Sequence, residues 1–479
     1  MIRRLPLCAA FALMIGGCVA PDGPDDPVHA TCDEVHPDHT VGLRLCLPGA
    51  DDGYTLIAPM GSTDTWLIDR LGRSAQTWHG SGTPGAAVQL LPNGHLLRTT
   101  ALHPNPFGPS VSGGRLEEYS WDGDLVWSFD YANERVVAHH DVAVLPNGNY
   151  VLIAFEKIDG DEAIAAGRDP STLSPNHDIY PEHLVEIDPS TDTVVWEWHL
   201  WDHVVQSFDP TKANFGDPEE HPELMELNTG PLLGDGDWAH VNSVAYHPGF
   251  DQLLLSSAFF SEVWVIDHSA TSEEAAGHDG GARGRGGDFL YRWGSPGWYG
   301  QGSDEDLPVD AQHDAQWVAE GLPGAGNILL FDNGGTAGQS VVLEIEPPAT
   351  ADGDYLLPPG EAWGPAGPSW TYTDPAFFSP IVAGAQRLPN GDTLISEGTT
   401  GRLFEVTPDG EVVWEYISPV AGDTVLRQGD TVPIQFELPA GTVSANWVFR
   451  VERYAPDYPG LAELDASAPT LPIEDDPAS

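Results

Sequence analysis

Histidine recurs beside acidic or amide residues at three distant places in this chain: His139-His140-Asp141, His240-Val241-Asn242 and Gln312-His313-Asp314. Imidazoles in such company support three kinds of chemistry. A neutral ring nitrogen can accept a transferred group as a nucleophile, while neighbouring imidazoles and amides hold the charge that develops. His with Asp can bind zinc or iron, which would make the protein a metal-dependent hydrolase with His139, His140, His240 and His313 as candidate ligands. The same pairs can also be satisfied polar groups in a channel, leaving a ligand-binding protein with no reaction of its own. All the active readings need a fold that brings these three segments to one place.

The elements around the histidines supply such a fold. His139-His140-Asp141 leads into Val142 to Leu145, a Pro146-Asn147-Gly148 turn, and then Tyr150 to Phe155. Ala86 to Leu91 and Ala383 to Leu388 enter the same Pro-Asn-Gly turn, at Pro92 and Pro389, before a second strand-like run. His240 through Pro248-Gly249 and His313 through Pro323-Gly324 are looser copies. Asn and Gly tolerate positive φ, so these are hairpins, and their repetition with aromatic outer strands predicts an all-β fold, a six-bladed β-propeller with long loop insertions. Blades are expected at about 53–78, 86–131, 139–201, 240–293, 313–372 and 383–416. Trp127, Trp196, Trp293, Trp370 and Trp414 recur on the outer strands and are expected to pack between blades. The tail Asn446 to Val451, or the Tyr54 region, is expected to close the ring. The four insertions, 157–181, 205–238, 269–288 and 335–369, could cover the central channel.

Counted from the turn proline, His140, Asn242, Ala383 and Ala86 each lie six residues upstream, and His313 falls in the same place when its HDAQ is laid on HDVA. The first strand of each propeller blade lines the central channel. His140, Asn242 and His313 should therefore converge, with His139 and His240 beside them, while Ala86 and Ala383 leave room for one small molecule.

The 479 residues carry a formal net charge of −54, which argues against nucleic acid and against direct binding to an anionic membrane surface. Arg3-Arg4 and the apolar run Leu5 to Ile15 read as a signal peptide over 1–18, ending at Ile15-Gly16-Gly17-Cys18, a lipobox-like site at which Cys18 would carry a lipid. Residues 19–50 read as a tether and entry segment in which Cys32 and Cys46 can form a disulfide, 51–460 as the propeller, and 461–479 as a disordered acidic tail. The expected location is the bacterial cell envelope, exported and lipid-anchored, with no other membrane contact. The sequence carries no signal for oligomeric state.

From Ala239 to Gly460, and more loosely from Gly85, the chain resembles the bacterial arylsulfotransferase family, the PAPS-independent aryl-sulfate sulfotransferases with a six-bladed propeller. The runs HHDVAVLPNGNYVL, WAHVNSVAYHP, QHDAQWVAEGLPGAGNILLFDNG and GAQRLPNGDTLISEGTTGRLFEVTPDGEVVWEY carry the likeness. It implies transfer of a sulfuryl group from an aryl sulfate to a phenol, with no cofactor. It also implies that His313 becomes transiently sulfated, and that His140 and His240 bind substrate with His139, Asn242 and Asp314 nearby. The family's Arg on the strand after the HVN hairpin has no counterpart in Leu255-Ser256-Ser257-Ala258-Phe259-Phe260. Arg387, just before the sixth-blade turn, is the candidate replacement.

Overall fold

A computed structural model describes residues 32–476 except 108–111, 174–177, 231–235, 304–306, 335–337 and 468–469. Alternating apolar runs bounded by Pro-Asn-Gly and Asp-Gly turns make short antiparallel strands, and these assemble into six sheets arranged as the blades of a propeller. From the axis outward, the second blade runs Pro84–Leu90, Leu96–Ala101, Gly114–Tyr119 and Leu125–Asp130. The third runs Val136–Val144, Tyr150–Glu156, Glu182–Asp188 and Thr193–His199. The fourth and fifth begin with Val241–His247 and His313–Trp317, and the sixth with Gly384–Arg387.

The first blade closes the ring. Its innermost strand is Glu452–Tyr454, from the far end of the chain, paired antiparallel with Tyr54–Ile57 in the register Tyr54↔Tyr454 and Leu56↔Glu452. The closing strand thus follows the Asn446–Val451 segment. That segment leads in along the axis, touching the first blade through a Pro59–Val448 bridge. Closure leaves no inner edge open to another chain.

Tryptophan ties each blade to the next. Trp78 Nε1 donates to Ser120 O (3.0 Å), Trp127 to Asp192 Oδ1 (2.8 Å) and Trp196 to Ala270 O (2.7 Å). Trp293 donates to Pro365 O (2.8 Å), Trp370 to Pro408 O (3.0 Å) and Trp414 to Arg70 O (2.7 Å), which returns to the first blade. Trp78, Trp196, Trp293 and Trp414 are buried between sheets and Trp127 and Trp370 half-buried, and each spends its one N–H on the neighbouring blade.

The two ends differ from the sequence reading. Gly42–Cys46 adds to the outer edge of the sixth blade beside Val412–Ile417, and Glu34–Val35 adds beyond it. The entry segment is therefore part of the propeller sheet. Cys32 and Cys46 are joined by a disulfide with Cα atoms 5.2 Å apart. The described part of the tail is ordered, against the expectation of disorder. Pro472 bridges Arg73, Ile473 is buried in the same cluster as Trp414 and Cys46, and Leu461 is buried in the cluster of Trp78 and Tyr454, so a few apolar side chains anchor an otherwise acidic segment. The signal segment, Cys18 and the tether up to residue 31 lie outside the described residues. Among the described residues no helix is long and apolar enough to cross a membrane.

Candidate active site

The inner strands carry their histidines at bulges. Register shifts fall between His139 and Val142, between Val241 and Ser243, and between His313 and Gln316. A bulge inserts unpaired residues into a strand and re-aims their side chains. Backbone strain concentrates there as well. Among the described residues His140, His240, Ala311 and Val382 have φ of 53°, 49°, 57° and 39°, and all four line one cavity. Strained non-glycine backbone is held in place where side-chain aim matters.

Hydrogen bonds between blades fix the equivalence of the motifs. Asp141 Oδ2 accepts from Val244 N, Ser243 Oγ from Ala315 N and Asp314 Oδ2 from Ala385 N, each at 3.0 Å. Gln89, Gln316 and Gln386 donate in the same way to Val142 O, Ala385 O and Arg453 O. Asp141, Ser243 and Asp314 thus occupy one structural position, and so do His140, Asn242 and His313 just before them.

His139, His140, His240 and His313 meet in a cavity of about 410 Å³ at the propeller axis. The rings of His140 and His240 are 4.9 Å apart and edge-on. His313 and His140 both face Phe449, at 6.4 and 5.9 Å. The remaining wall is mostly apolar, with Met60, Ala86, Phe155, Phe259, Ile381 and Trp447, and takes polar groups from Ser112, Tyr180 and Asp237. Phe155 stacks on His139 (3.9 Å) and Phe259 on His240 (4.6 Å). Volume and lining suit a single aromatic molecule.

Each histidine has a defined protonation. Asn333 Nδ2 donates to Ser379 O (2.7 Å), so its Oδ1 faces His313 Nδ1 at 2.7 Å and accepts from it. This places the proton on Nδ1 and the lone pair of His313 on Nε2. Burial pushes the His313 pKa down to about 4, with the Asn333 bond opposing, so the ring is neutral near pH 7. Burial, with the neighbouring imidazoles adding to it, holds His139 and His140 well below the ordinary histidine range. Their Nδ1 atoms are 2.7 Å apart and must share one proton. Among the described residues His139 Nε2 is buried with no hydrogen-bond partner. An orphaned lone pair costs less than an orphaned N–H, so His139 Nδ1–H donates and His140 carries its proton on Nε2. His240 Nδ1 donates to Asp237 Oδ2 at 2.6 Å.

Stability carries the same sign. The unfolded chain protonates these imidazoles below about 6.5 while the folded His313 resists protonation down to about 4. Folding stability therefore falls as pH drops through that window.

Three residues expected at the site are elsewhere. Asn242 has the predicted register, but it is the extra residue of its bulge. Its Nδ2 turns to Gln312 O in the fifth blade (2.8 Å), and His240 faces the cavity in its place. Asp314 lies below the cavity against Ala385 N and Arg450, the latter at 3.2 Å. Arg387 is held by Glu344 Oε2 (2.6 Å) and Gly391 O and covers Trp370, so it is an inter-blade tie and not a cation for the substrate. Ala86 leaves space as expected, whereas Ala383 is buried in the core between the fifth and sixth blades. Of the four insertions, the first two reach the cavity, through Tyr180 and Asp237.

Three partners were not singled out from sequence: Asp237, Asn333 and Phe449. Asn333 follows the strand Ile328–Asp332 within the stretch that holds His313, and Asp237 stands three residues before His240, so proximity was the available signal. No Lys or Arg is among the described residues lining the cavity. Nor do three of its histidines and carboxylates bring one ligand atom each within 4.8 Å of one another, among the described residues. The metal-hydrolase reading has no support in this geometry.

Comparison with known families decides the class. The family described as Arylsulfotransferase (ASST) matches residues 63–442. The chain belongs to the arylsulfotransferase family. It is an arylsulfotransferase-like enzyme, and its domain implies aryl sulfate and phenol as substrates. No curated protein matches the chain. Among solved structures, the chain resembles a Bacteroides caccae protein of unknown function at 12% identity and TM-score 0.40, over 76% of this chain and 94% of that one. It also resembles the Swd1 β-propeller domain of Myceliophteria thermophila at 10% and 0.40, over 79% and 90%. A streptogramin B lyase aligns at 9% and 0.37, over 88% and 100%.

Proposed function

We propose that this arylsulfotransferase moves a sulfuryl group from an aryl sulfate to a phenol through a sulfated His313. The observation that carries the reading is a buried, neutral imidazole whose Nδ1–H is fixed by Asn333, leaving Nε2 as its lone pair, in a largely apolar cavity shared with three further histidines. His313 Nε2 attacks sulfur, the N–S bond forms and the S–O bond to the aryl group breaks. His240 protonates the departing phenolate oxygen, and Asp237 stabilises the imidazolium from which that proton comes. The sulfated ring is cationic, and Asn333 Oδ1 accepts its remaining N–H. In the second half the acceptor phenol returns a proton to His240 and takes the sulfuryl group from His313. His140 Nε2–H supplies a donor to the sulfuryl oxygens. Phe155, Phe259 and Phe449 seat the two aryl groups in turn.

The test is to quench the enzyme after mixing with a chromogenic aryl sulfate alone and to map peptides by mass. One SO₃ on the peptide containing His313 is expected. The absence of any covalent adduct, with bound and unchanged aryl sulfate, would instead favour a binding propeller. That second reading is motivated by the lack of a Lys or Arg among the described cavity residues.

The low pKa of His313 sets a pH profile. The rate is expected to be flat with respect to this group above about pH 5 and to fall as pH drops through about 4. Asn333→Asp keeps the acceptor but adds a negative charge, which favours the imidazolium, so the acidic limb should move up toward neutral pH. Asn333→Ala loses the positioning bond, expected to lower kcat about 10- to 100-fold at little cost in KM. An unmoved acidic limb in Asn333→Asp would remove His313 as the titrating group.

We further infer export and attachment through a lipid on Cys18. The Cys32–Cys46 pairing and the lipobox-like run at Cys18 support it. Cys18→Ala should shift the protein from the membrane to the soluble fraction on fractionation.

A further inference from the structure

Three parallel facts single out one face of the third blade. His183 and His199 are register partners on adjacent strands, and their rings stack 5.0 Å apart at 4°. Ala154 faces His183 across the next ladder, and Glu156, two residues further along its strand, projects to the same side. One ligand atom from each of Glu156, His183 and His199 lies within 4.8 Å of the other two. None of the three lines the central cavity.

The hydrogen bonds around this trio are unevenly distributed between its inner and outer atoms. His183 is 1% exposed, and its Nδ1 makes no well-formed hydrogen bond among the described residues, although the ring approaches the Ala154 backbone. Glu156 Oε1 is buried and equally without a partner. The outer nitrogens, by contrast, are both held: His183 Nε2 by Tyr131 Oη at 2.8 Å, and His199 Nε2 by Glu197 Oε2 at 3.3 Å. His199 Nδ1 faces Glu156 Oε2 at 3.1 Å. A ligating imidazole characteristically gives its far N–H to an oxygen acceptor, which fixes the tautomer and turns the near nitrogen's lone pair to the ion. His183 is held in that way; His199 donates from both nitrogens, and against burial its bonds to Glu156 and Glu197 raise its pKa to about 9, so an ion would take the place of its Nδ1 proton, with Glu156 as the shared carboxylate.

We propose that Glu156, His183 and His199 bind a divalent transition-metal ion, with Tyr131 and Glu197 as the oxygen partners that orient the two imidazoles. Two nitrogens and one carboxylate suit zinc and are poor in the oxygens that calcium or magnesium would need. The ion would join the second, third and fourth strands of the third blade. A second trio, His203, His278 and Asp288, does not carry the same argument. His203 Nδ1 and His278 Nδ1 both bond Asp288 Oδ1 at 2.8 Å, and His203 Nε2 bonds Ala275 O at 2.8 Å, so no buried ligand atom of His203 is orphaned.

The test uses the full chain without a histidine tag, stripped with chelator and titrated with zinc by calorimetry and with cobalt by visible absorption. About one zinc per chain is expected at a Kd near or below about 1 µM, together with cobalt d–d bands and a rise in Tm. His199→Gln and Glu156→Gln, at partly exposed positions that leave the core packed, should each weaken binding at least ~10-fold and abolish the bands, and Tyr131→Phe should weaken it about 10-fold. His278→Gln should leave all three readouts unchanged. The proposal is overturned if zinc does not bind in this range, if His199→Gln and Glu156→Gln bind as wild type, or if binding is lost with His278→Gln. These readouts are independent of sulfuryl transfer and stand or fall apart from the role of His313.

Discussion

Replacing His313 by Ala is expected to lower the rate of sulfuryl transfer by at least ~10⁴-fold, as removal of a covalent nucleophile does elsewhere. The reason is positional. His140 and His240 share the cavity with His313, but neither can take over. His240 Nδ1 is engaged by Asp237, and its Nε2 is needed for the phenolic proton. His140 Nδ1 is bonded to His139, and its Nε2 carries the proton. His313 combines neutrality with a lone pair on Nε2 and a fixed opposite face; His139 has the same tautomer, but its Nε2 is buried and its ring is covered by Phe155 at 3.9 Å. The apolar wall is untouched by the substitution, so KM or Kd for the aryl sulfate should change far less than kcat. Folding should survive, since the lost bond to Asn333 is a contribution of about 1 kcal/mol. The measurement is steady-state transfer from a chromogenic aryl sulfate to phenol beside binding of the same donor, with Tm as the control for folding. A variant retaining a tenth of wild-type turnover would dismiss the sulfo-histidine route.

Much of this site was legible because propeller geometry converts sequence register into position. The Pro-Asn-Gly turns at Pro92, Pro146 and Pro389 mark where three of the inner strands end, and the outer tryptophans mark where each blade ends. The convergence of His140, His240 and His313 follows from those two signals. What register does not give is side-chain aim inside a bulge. Asn242 is at the predicted position, yet the bulge between Val241 and Ser243 turns it toward Gln312 and presents His240 instead. Arg387 illustrates the same limit. Its place on the sixth blade was read correctly, but Glu344 on the neighbouring blade claims its charge. Asp237 arises from an insertion with no repeat to align it. Phe449 and Arg450 come from a segment whose place depends on which terminus closes the ring, and that choice is made by pairing to Tyr54–Ile57 rather than by any local pattern. The outer strands 34–46 are invisible for the same reason: they extend a blade without repeating it.

Arg450 carries the second large effect, on stability. It lies on the axis below the histidine cavity, with its planar head spent on carboxylates from different blades. Its two terminal nitrogens each reach Asp141 at 2.7 Å, and Asp314 lies at 3.2 Å and Glu452 at 3.8 Å. Asp141 belongs to the third blade, Asp314 to the fifth and Glu452 to the closing strand, so one guanidinium joins three distant parts of the ring. Burial raises the Asp314 carboxyl to about 7, with Arg450 opposing and Asp141 adding to the shift, and burial raises Glu452 as well. Arg450→Met removes the counter-charge that, among the described residues, all three share, and leaves the carboxylates buried together. Breaking a buried pair from one side costs about 3–5 kcal/mol, a large share of the roughly 5–15 kcal/mol of a typical domain. The pH dependence follows from the direction of the shifts. A carboxyl whose folded pKa is raised favours the folded state below its unfolded pKa near 4, and that contribution is lost as pH rises through the folded value, about 7 for Asp314 in the wild type. Without the guanidinium the folded values move higher still. The deficit of Arg450→Met relative to wild type should therefore be small near pH 5 and near its full size at pH 8, as read from denaturant midpoints at the two values. Because Phe449 and Asp314 flank Arg450 and His313 respectively, the same variant should lose transfer activity at pH 8 and recover part of it in mild acid. A deficit under about 1 kcal/mol, or one that does not change with pH, would mean that water and backbone donors, not Arg450, hold these carboxylates.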